Sequence, residues 1–557
     1  MIESPWQGGG ATVVSGQTAT LAYPRSLDGG AGPGRRARLS ATGVVIAAAV
    51  IVALALRAYQ LSRPGFLRGV TEYDDGPYFG SAVRLLQGSV PYRDFVLVQP
   101  PGITLLMAPA ALVAKLTGTA WGMATGRILT ALASVAAVAL GGRLVRHRGV
   151  LAAMVTCGVL AVYPASVAAS HTVLVEPWLV LFCLAGLVAV FNGDWLTASR
   201  RRLAWGGAAF GFAGAVEAWA IVPALMVLIV AGWSGGSRGR QAGIYAGGVA
   251  AGFLIPVMRF AAASPYGFYR SVITAQIGPR AHPQRVRFWV RLTNMTGITD
   301  IHLTSPAAIT SIALAIVAAV TILTIAAWQL TPQYQAALDV FALVTTAAVA
   351  VMFLWPDQFH DHFPAFLAPF LAVATGLPAA RLCAAFENAR PDLTFLTRWA
   401  VPGVTAAALI GLAALHASTE AHLGRYASMS TGAAARMQQI VPAGACVLTD
   451  QVSSLIIANR FISSVPGCSP MIDGLGTDLA LSGGLKPSTG AGKVPAVTAI
   501  WRDGLTHAQY LWLTTRANRR IPWTPSLRAY VRDHFVQVMT DGRGDLLYAR
   551  KSVPGSH

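Results

Sequence analysis

The chain has 557 residues, of which 54% are hydrophobic and only 12% charged, and its mean hydropathy is +0.54. That is too apolar for an ordinary soluble domain and excludes a cytosolic enzyme. The formal charge of +19 comes from 42 Lys and Arg against 23 Asp and Glu and would on its own fit a nucleic-acid binder. In a chain this apolar, excess cation marks the cytoplasmic loops of a membrane protein, so the charge reports topology and no nucleic-acid partner is expected.

Residues 1–38 are rich in Gly, Ser, Thr and Pro and end in Arg35, Arg36 and Arg38; they read as a disordered cytoplasmic tail. The run 39–56 follows as a retained first span, oriented inside to outside by those arginines. Further apolar runs lie at 101–116, 121–144, 150–168, 177–191, 203–216, 218–233, 244–257, 307–328, 337–354, 363–377 and 401–415. If 101–116 crossed the bilayer, Arg143, Arg146, His147 and Arg148, then Arg200 to Arg202, then Arg238 and Arg240 would all fall outside. Placed as a juxtamembrane or re-entrant helix at the outer surface, it leaves all three clusters inside and about eleven spans. The loops 57–120, 170–176, 259–306 and 355–362 then face outward, as does the region after 416. The expected fold is thus a mainly α, polytopic membrane protein with a transmembrane part over 39–415 and an extracytoplasmic α/β domain over 416–557.

In the last region, 445–449 reads as a strand, 451–459 as a helix, and 535–539 with 546–549 as a terminal hairpin around Asp541, Gly542, Arg543 and Gly544. It has no phosphate loop, dinucleotide fingerprint, zinc-ligand spacing or nucleophile elbow, so no nucleotide cofactor is expected. Cys157, Cys183 and Cys383 lie in or beside apolar runs and read as small buried hydrophobes. Cys446 and Cys468 sit in the polar region and are candidates for a disulfide if it faces an oxidising compartment. Trp501, Trp512 and Trp523 are either core aromatics or stacking surfaces for a glycan, the role we expect of this domain.

The strongest local signal is Glu72, Tyr73, Asp74, Asp75, Gly76, Pro77 and Tyr78 in the first outward loop. Pro77 suits the first helical turn, Asp75 an N-cap, and Gly88 a stop, which predicts a short helix to about Gln87 crowned by acids. Such acids either cap the helix or, ionised at its N-terminus, act as a general base or hold a divalent cation. Downstream come Pro91, Tyr92, Arg93, Asp94 and Phe95, then Gln99 and the pair Pro100 and Pro101, which leads into an apolar helix. Arg280, Arg285, Arg287 and Arg291 crowd one outward loop against the usual bias. They either rest on anionic headgroups or gather a phosphate.

This ordered set resembles the GT-C superfamily of polyprenyl-phosphate-sugar glycosyltransferases, and among them the protein O-mannosyltransferases and the aminoarabinose transferases of lipid A. The likeness continues through Gly126-Arg127, Glu176-Pro177, Phe268-Tyr269 with Gln276 and Arg280, and Pro364 with Leu367-Ala368-Pro369. The resemblance implies Asp74 as catalytic base, Asp75 as supporting acid and Glu176 as the second outward acid. It implies phosphate contacts from Arg280 and His362, and from Arg84 and Arg127. The donor would be a polyprenyl-phosphate-linked sugar and the acceptor an envelope glycan, lipid or protein at a bacterial plasma membrane. A divalent cation, Mg or Mn, is a further candidate, with Asp75 and His360 as its ligands. Relatives often carry a basic residue where this chain has Gln99 and a lysine where it has Glu217. Glu217 reads as an outer-surface carboxylate or a substituted functional position, the surface reading being preferred. A lipid or glycan flippase, or a non-catalytic assembly protein, is the rival reading.

Overall fold

The computed structural model describes residues 33–233, 239–277, 286–298, 305–332, 335–354 and 359–551. The helices run in order α1 (Pro33–Ser62), α2 (Asp75–Leu86), α3 (Gly102–Thr117), α4 (Thr119–Val145), α5 (Val150–Val162), α6 (Pro164–Ser170) and α7 (Glu176–Val190). A two-stranded turn, β1 (Phe191–Asn192) and β2 (Trp195–Leu196), leads to α8 (Arg200–Val216), α9 (Ile221–Trp233) and α10 (Gly239–Ala263). The short α11 (Pro265–Phe268) and α12 (Ala275–Ile277) flank a π-helical turn at Tyr269–Thr274 and are followed by α13 (Phe288–Thr296). Then come α14 (Pro306–Leu330), α15 (Ala337–Leu354), α16 (Pro364–Ala389) and α17 (Val401–Ile440). Among the described residues seven helices are long and apolar enough to cross a membrane, or eight counting α5 with α6 as one bent span; three shorter apolar helices accompany them.

The bend of 51° between α5 and α6 has a local cause. Pro164 has no N–H to return to Leu160, and its ring breaks the helix, freeing carbonyls inside the bundle. Arg57 of α1 answers them: it is buried and donates to Ala161 O at 2.7 Å and Leu160 O at 3.5 Å, with Ser134 Oγ of α4 at 3.1 Å. A second device joins α8 to α10. An added Cβ at Gly207 or Gly211 would lie 2.2 or 2.1 Å from Tyr245 O or Val249 O, and one at Gly248 or Gly252 would lie 2.4 or 2.1 Å from Ala204 O or Ala208 O. Only glycine at these positions, four apart on each helix, lets the two backbones approach so closely.

Beyond α17 the chain forms β3 (Val447–Thr449), α18 (Val452–Ile457), α19 (Gly474–Ser482), α20 (Pro495–His507), β4 (Tyr510–Leu513), α21 (Ala517–Arg520), α22 (Pro525–His534), β5 (Phe535–Thr540) and β6 (Leu546–Arg550). The sheet order is β3-β4-β6-β5, with β3 parallel to β4 and the other pairs antiparallel. The expected strand, helix and terminal hairpin are all present. The boundary expected near 416 falls inside α17, which runs unbroken for 40 residues and carries the membrane part directly into this region. Trp501 and Trp512 are fully buried in this region's packing, so neither offers a glycan a stacking face. Cys446 and Cys468 are bonded, with Cα atoms 5.5 Å apart.

This C-terminal region docks onto the helices that position the acids. Asn459 Oδ1 accepts from Ala120 N–H at 2.9 Å, satisfying an orphan donor in the first turn of α4, while Thr119 Oγ1 donates to Ile456 O at 2.6 Å. Gly76 admits α18: a Cβ there would stand 2.6 Å from Ser453 Oγ.

Candidate active site

A helix turns about 100° per residue, so the adjacent acids Asp74 and Asp75 leave α2 on different faces. Asp75 points into the bundle and is fully buried. Its Oδ2 accepts from Arg127 Nη2 at 2.5 Å, Thr172 Oγ1 at 2.8 Å and Thr71 Oγ1 at 3.4 Å, and its Oδ1 accepts from Ser453 Oγ at 2.6 Å. Both oxygens of the carboxylate are thus engaged, Oδ2 more heavily than Oδ1. Asp75 therefore anchors α2 to α4, to the segment before α7 and to α18. Arg127, also fully buried, donates from Nη1 to Phe66 O at 2.7 Å, while its Nε has no hydrogen-bond partner among the described residues. Its charge is paired with Asp75, and both side chains are fully buried.

Asp74, which caps α2 where Asp75 was expected, is partly exposed, and among the described residues no donor engages its carboxylate. A helix N-terminus favours the ionised acid. Here burial, followed by the charges of Glu72, Asp473 and Glu176, outweighs both that effect and the stabilising His362, and the group is pushed up to about 7.

Glu176 opens α7, with Pro177 fitting its first turn, and is fully buried. His362 Nδ1 stands 2.7 Å from its Oε1, whereas Oε2 has no hydrogen-bond partner among the described residues. Burial alone would lower the imidazole, but the charge and hydrogen bond of Glu176, aided by Asp74 and Glu72, reverse this and raise it to about 9. His362 is therefore a fixed cation at neutral pH, facing carboxylates.

Glu217 corrects the surface reading. Only 7% of it is exposed, and burial, with Glu176 and Asp74 as neighbouring like charges, pushes it up to about 8. The break between α8 and α9 faces the start of α7 and not water. Tyr78, buried on α2, feels Asp74, Glu176, Glu217 and Asp473 together, and its hydroxyl is held well above its ordinary value, chiefly by burial.

The C-terminal region contributes residues to the cluster that sequence reasoning missed. Asp473 caps α19 by accepting from Gly476 N–H at 2.7 Å, and its Oδ1 accepts from Tyr73 Oη at 2.8 Å. Burial raises this carboxyl above the usual range. The Arg520 guanidinium lies 4.3 Å over the Tyr73 ring and donates to Gln451 Oε1 at 3.0 Å. Asp473 lies 400 residues from Tyr73, and nothing local in the sequence distinguishes it from any capping aspartate.

The expected phosphate contacts separate. Arg84 stacks 4.5 Å over Phe461 and reaches Ser469 O at 3.4 Å, so it serves the docked C-terminal region, with burial lowering it to about 10. Arg280 and Arg285 lie outside the described residues. Arg291 is buried and donates to Phe353 O at 3.1 Å, while Arg287 is exposed. Of the implied set, His362 is the one among the described residues that lies beside Asp74 and Glu176. His360 stacks on His362 at 5.5 Å between centroids, and among the described residues no three His, Cys, Asp or Glu are placed to hold a metal. The motif residues around Pro91 do meet: Tyr92 packs edge-on against Phe268 at 5.0 Å, and Gln276 Nε2 donates to Val98 O at 3.1 Å.

No protein-family profile matches the chain, and no curated protein matches it in sequence. In structure it is similar to ArnT from Cupriavidus metallidurans in the apo state, at 16% identity and a TM-score of 0.60 over 92% of this chain and 98% of that one. It is similar also to that protein bound to undecaprenyl phosphate, at 15% identity and a TM-score of 0.57 over 91% and 98%. The oligosaccharyltransferase of Archaeoglobus fulgidus in the apo form follows at 12% identity and a TM-score of 0.52, over 92% of this chain and 75% of that one. At these identities the likeness is one of fold, the fold shared by ArnT and this oligosaccharyltransferase.

Proposed function

We propose that the protein is an integral-membrane glycosyltransferase that moves a sugar from a polyprenyl-phosphate donor to an acceptor hydroxyl in the cell envelope. The observation that carries this reading is Asp74: an unengaged carboxylate, raised to about 7, beside a buried Glu176–His362 pair. A general base works best when its pKa lies near the operating pH. The fold supports the reading, as does the undecaprenyl phosphate bound by ArnT of similar structure.

In the reaction, Asp74 accepts the proton as the acceptor oxygen bonds to the anomeric carbon. The bond from that carbon to the phosphate oxygen breaks, and the polyprenyl phosphate leaves with the electron pair, with inversion. His362, held cationic by Glu176, is the described group suited to the departing phosphate. Asp75 is already engaged by Arg127, Thr172 and Ser453, which suits an anchoring carboxylate better than a metal ligand. The acidic cluster, the disulfide and the C-terminal region would face the extracytoplasmic side, where oxidation of Cys446 and Cys468 is expected.

Asp74→Asn, assayed in membranes or with purified protein and polyprenyl-phosphate sugars, is expected to abolish transfer with expression unchanged. Undiminished transfer would remove Asp74 from the role. A wild-type protein that moves the lipid across vesicles without consuming it would establish the flippase reading instead.

A further inference from the structure

The end of the bundle opposite the acidic cluster carries a second, differently built site. Arg143, in the last turn of α4, and Arg146 and His147, in the 3-10 turn that follows it, line the same cleft. It is an open cleft of about 610 Å³ whose other wall comes from α7 and the β1–β2 turn. That size falls within the range of small-ligand sites, roughly 300–1,000 Å³.

The charges in the cleft are not cancelled. Arg143 and Arg146 are exposed, and among the described residues neither makes an ion pair or side-chain hydrogen bond. The nearby acid Asp194 is already held by His147 at 2.6 Å and Arg148 at 2.7 Å. Asp339 is held by Arg148 at 2.9 Å and Arg381 at 3.6 Å. Arg202, also in the lining, is fixed by neutral acceptors: Phe191 O at 2.6 Å, Val188 O and Ala189 O at 3.0 Å, and Asn192 Oδ1 at 3.2 Å. It keeps its full charge in a set position. The remaining wall is aliphatic, from Leu140, Leu144, Ala185 and Val188. Cations that merely orient a helix need no cleft, and cations for a soluble anion need no aliphatic wall. Together the two features match a molecule with an anionic head and a hydrocarbon tail.

We propose that this cleft binds the phosphate headgroup of an anionic membrane phospholipid, with Arg143 and Arg146 as its mobile contacts, Arg202 as the fixed one, and an acyl chain along Leu140 and Val188. The site is separate from glycosyl transfer, and its test reads lipid retention only, so its failure leaves the proposed activity untouched.

The full-length protein in neutral detergent is titrated with phosphatidylglycerol or phosphatidylcholine, and retained lipid is read by native mass spectrometry. The wild type is expected to prefer phosphatidylglycerol by about thirtyfold, from roughly two added cations at the headgroup. Arg143→Gln with Arg146→Gln is expected to cut that preference at least tenfold, with Arg202 holding the remainder. Ala185→Trp, which fills the cleft and leaves every cation, is expected to lose retention as well and serves if the double exchange does not fold. Equal retention of the two lipids, or a preference unchanged in the variants, would overturn the proposal. So would displacement of phosphatidylglycerol by inorganic phosphate, which would assign the cleft to a soluble anion.

Discussion

His362 Nδ1 lies 2.7 Å from Oε1 of a fully buried Glu176, and the pair binds α16 to α7 beside the open carboxylate of Asp74. With Asp74 raised to about 7 and His362 to about 9, transfer requires the first ionised and the second protonated. The rate is expected to rise with pH through about 7 and fall through about 9, giving a bell in a kcat/KM profile. Glu176→Gln removes the charge that raises His362, so the alkaline limb is expected to move toward or below the ordinary value of 6.5. A limb that stays in place would detach His362 from the reaction.

The same two shifts act on stability with one sign. His362, raised in the fold, contributes fully below about 6.5 and loses that contribution as pH climbs through about 9. Asp74, raised from 3.8, favours the fold when protonated and loses its contribution as pH climbs through about 7. The thermal midpoint is expected to fall from about pH 4 to about pH 9, and Asp74→Asn is expected to flatten the part of that decline below about pH 7.

Asp473 raises Asp74 from the far end of the chain. Asn is as good an N-cap as Asp, so Asp473→Asn keeps α19 while deleting the charge. The acid limb of the rate profile is expected to shift below about 7, with the thermal midpoint little changed. An unshifted limb would show that Asp473 serves α19 alone.

Asp75 and Asp74 are expected to separate cleanly by mutation. Asp75→Ala leaves Arg127 as an uncompensated buried charge, a loss of about 3–5 kcal/mol, and should appear as low yield and an early melt. Asp74→Asn should melt with the wild type at low pH and have no transfer activity. A stable Asp75→Ala protein that retained transfer would show that α2 is anchored by other contacts.

The Cys446–Cys468 bond closes a loop with a sequence separation of 22, and its loss is expected to cost about 3 kcal/mol. Thiol labelling of the denatured, unreduced protein should find Cys157, Cys183 and Cys383 only, and reduction should add two further sites and lower the melt. Five labelled thiols without reductant would show the pair to be open.

Apolar runs, arginine clusters and helix-breaking prolines are local properties, and they determined the membrane class, the order of the helices, the short acidic helix α2 and the terminal hairpin. Motif order also led to Asp74, Glu176 and His362. Which of two neighbouring aspartates is free is not local. Arg127, Thr172 and Ser453, from three distant parts of the chain, converge on Asp75 and leave Asp74 open. Glu217 and Asp473 joined the cluster in the same way, because helix packing and the docked C-terminal region bring carboxylates within reach of Asp74 across hundreds of residues. The sequence by itself determined which segments are apolar enough to enter a membrane and which carry acids, since hydropathy and charge are properties of each stretch alone. Only the tertiary structure decided which acid is anchored, which is poised and which arginines are already engaged, since burial and pairing depend on what the fold places opposite each group.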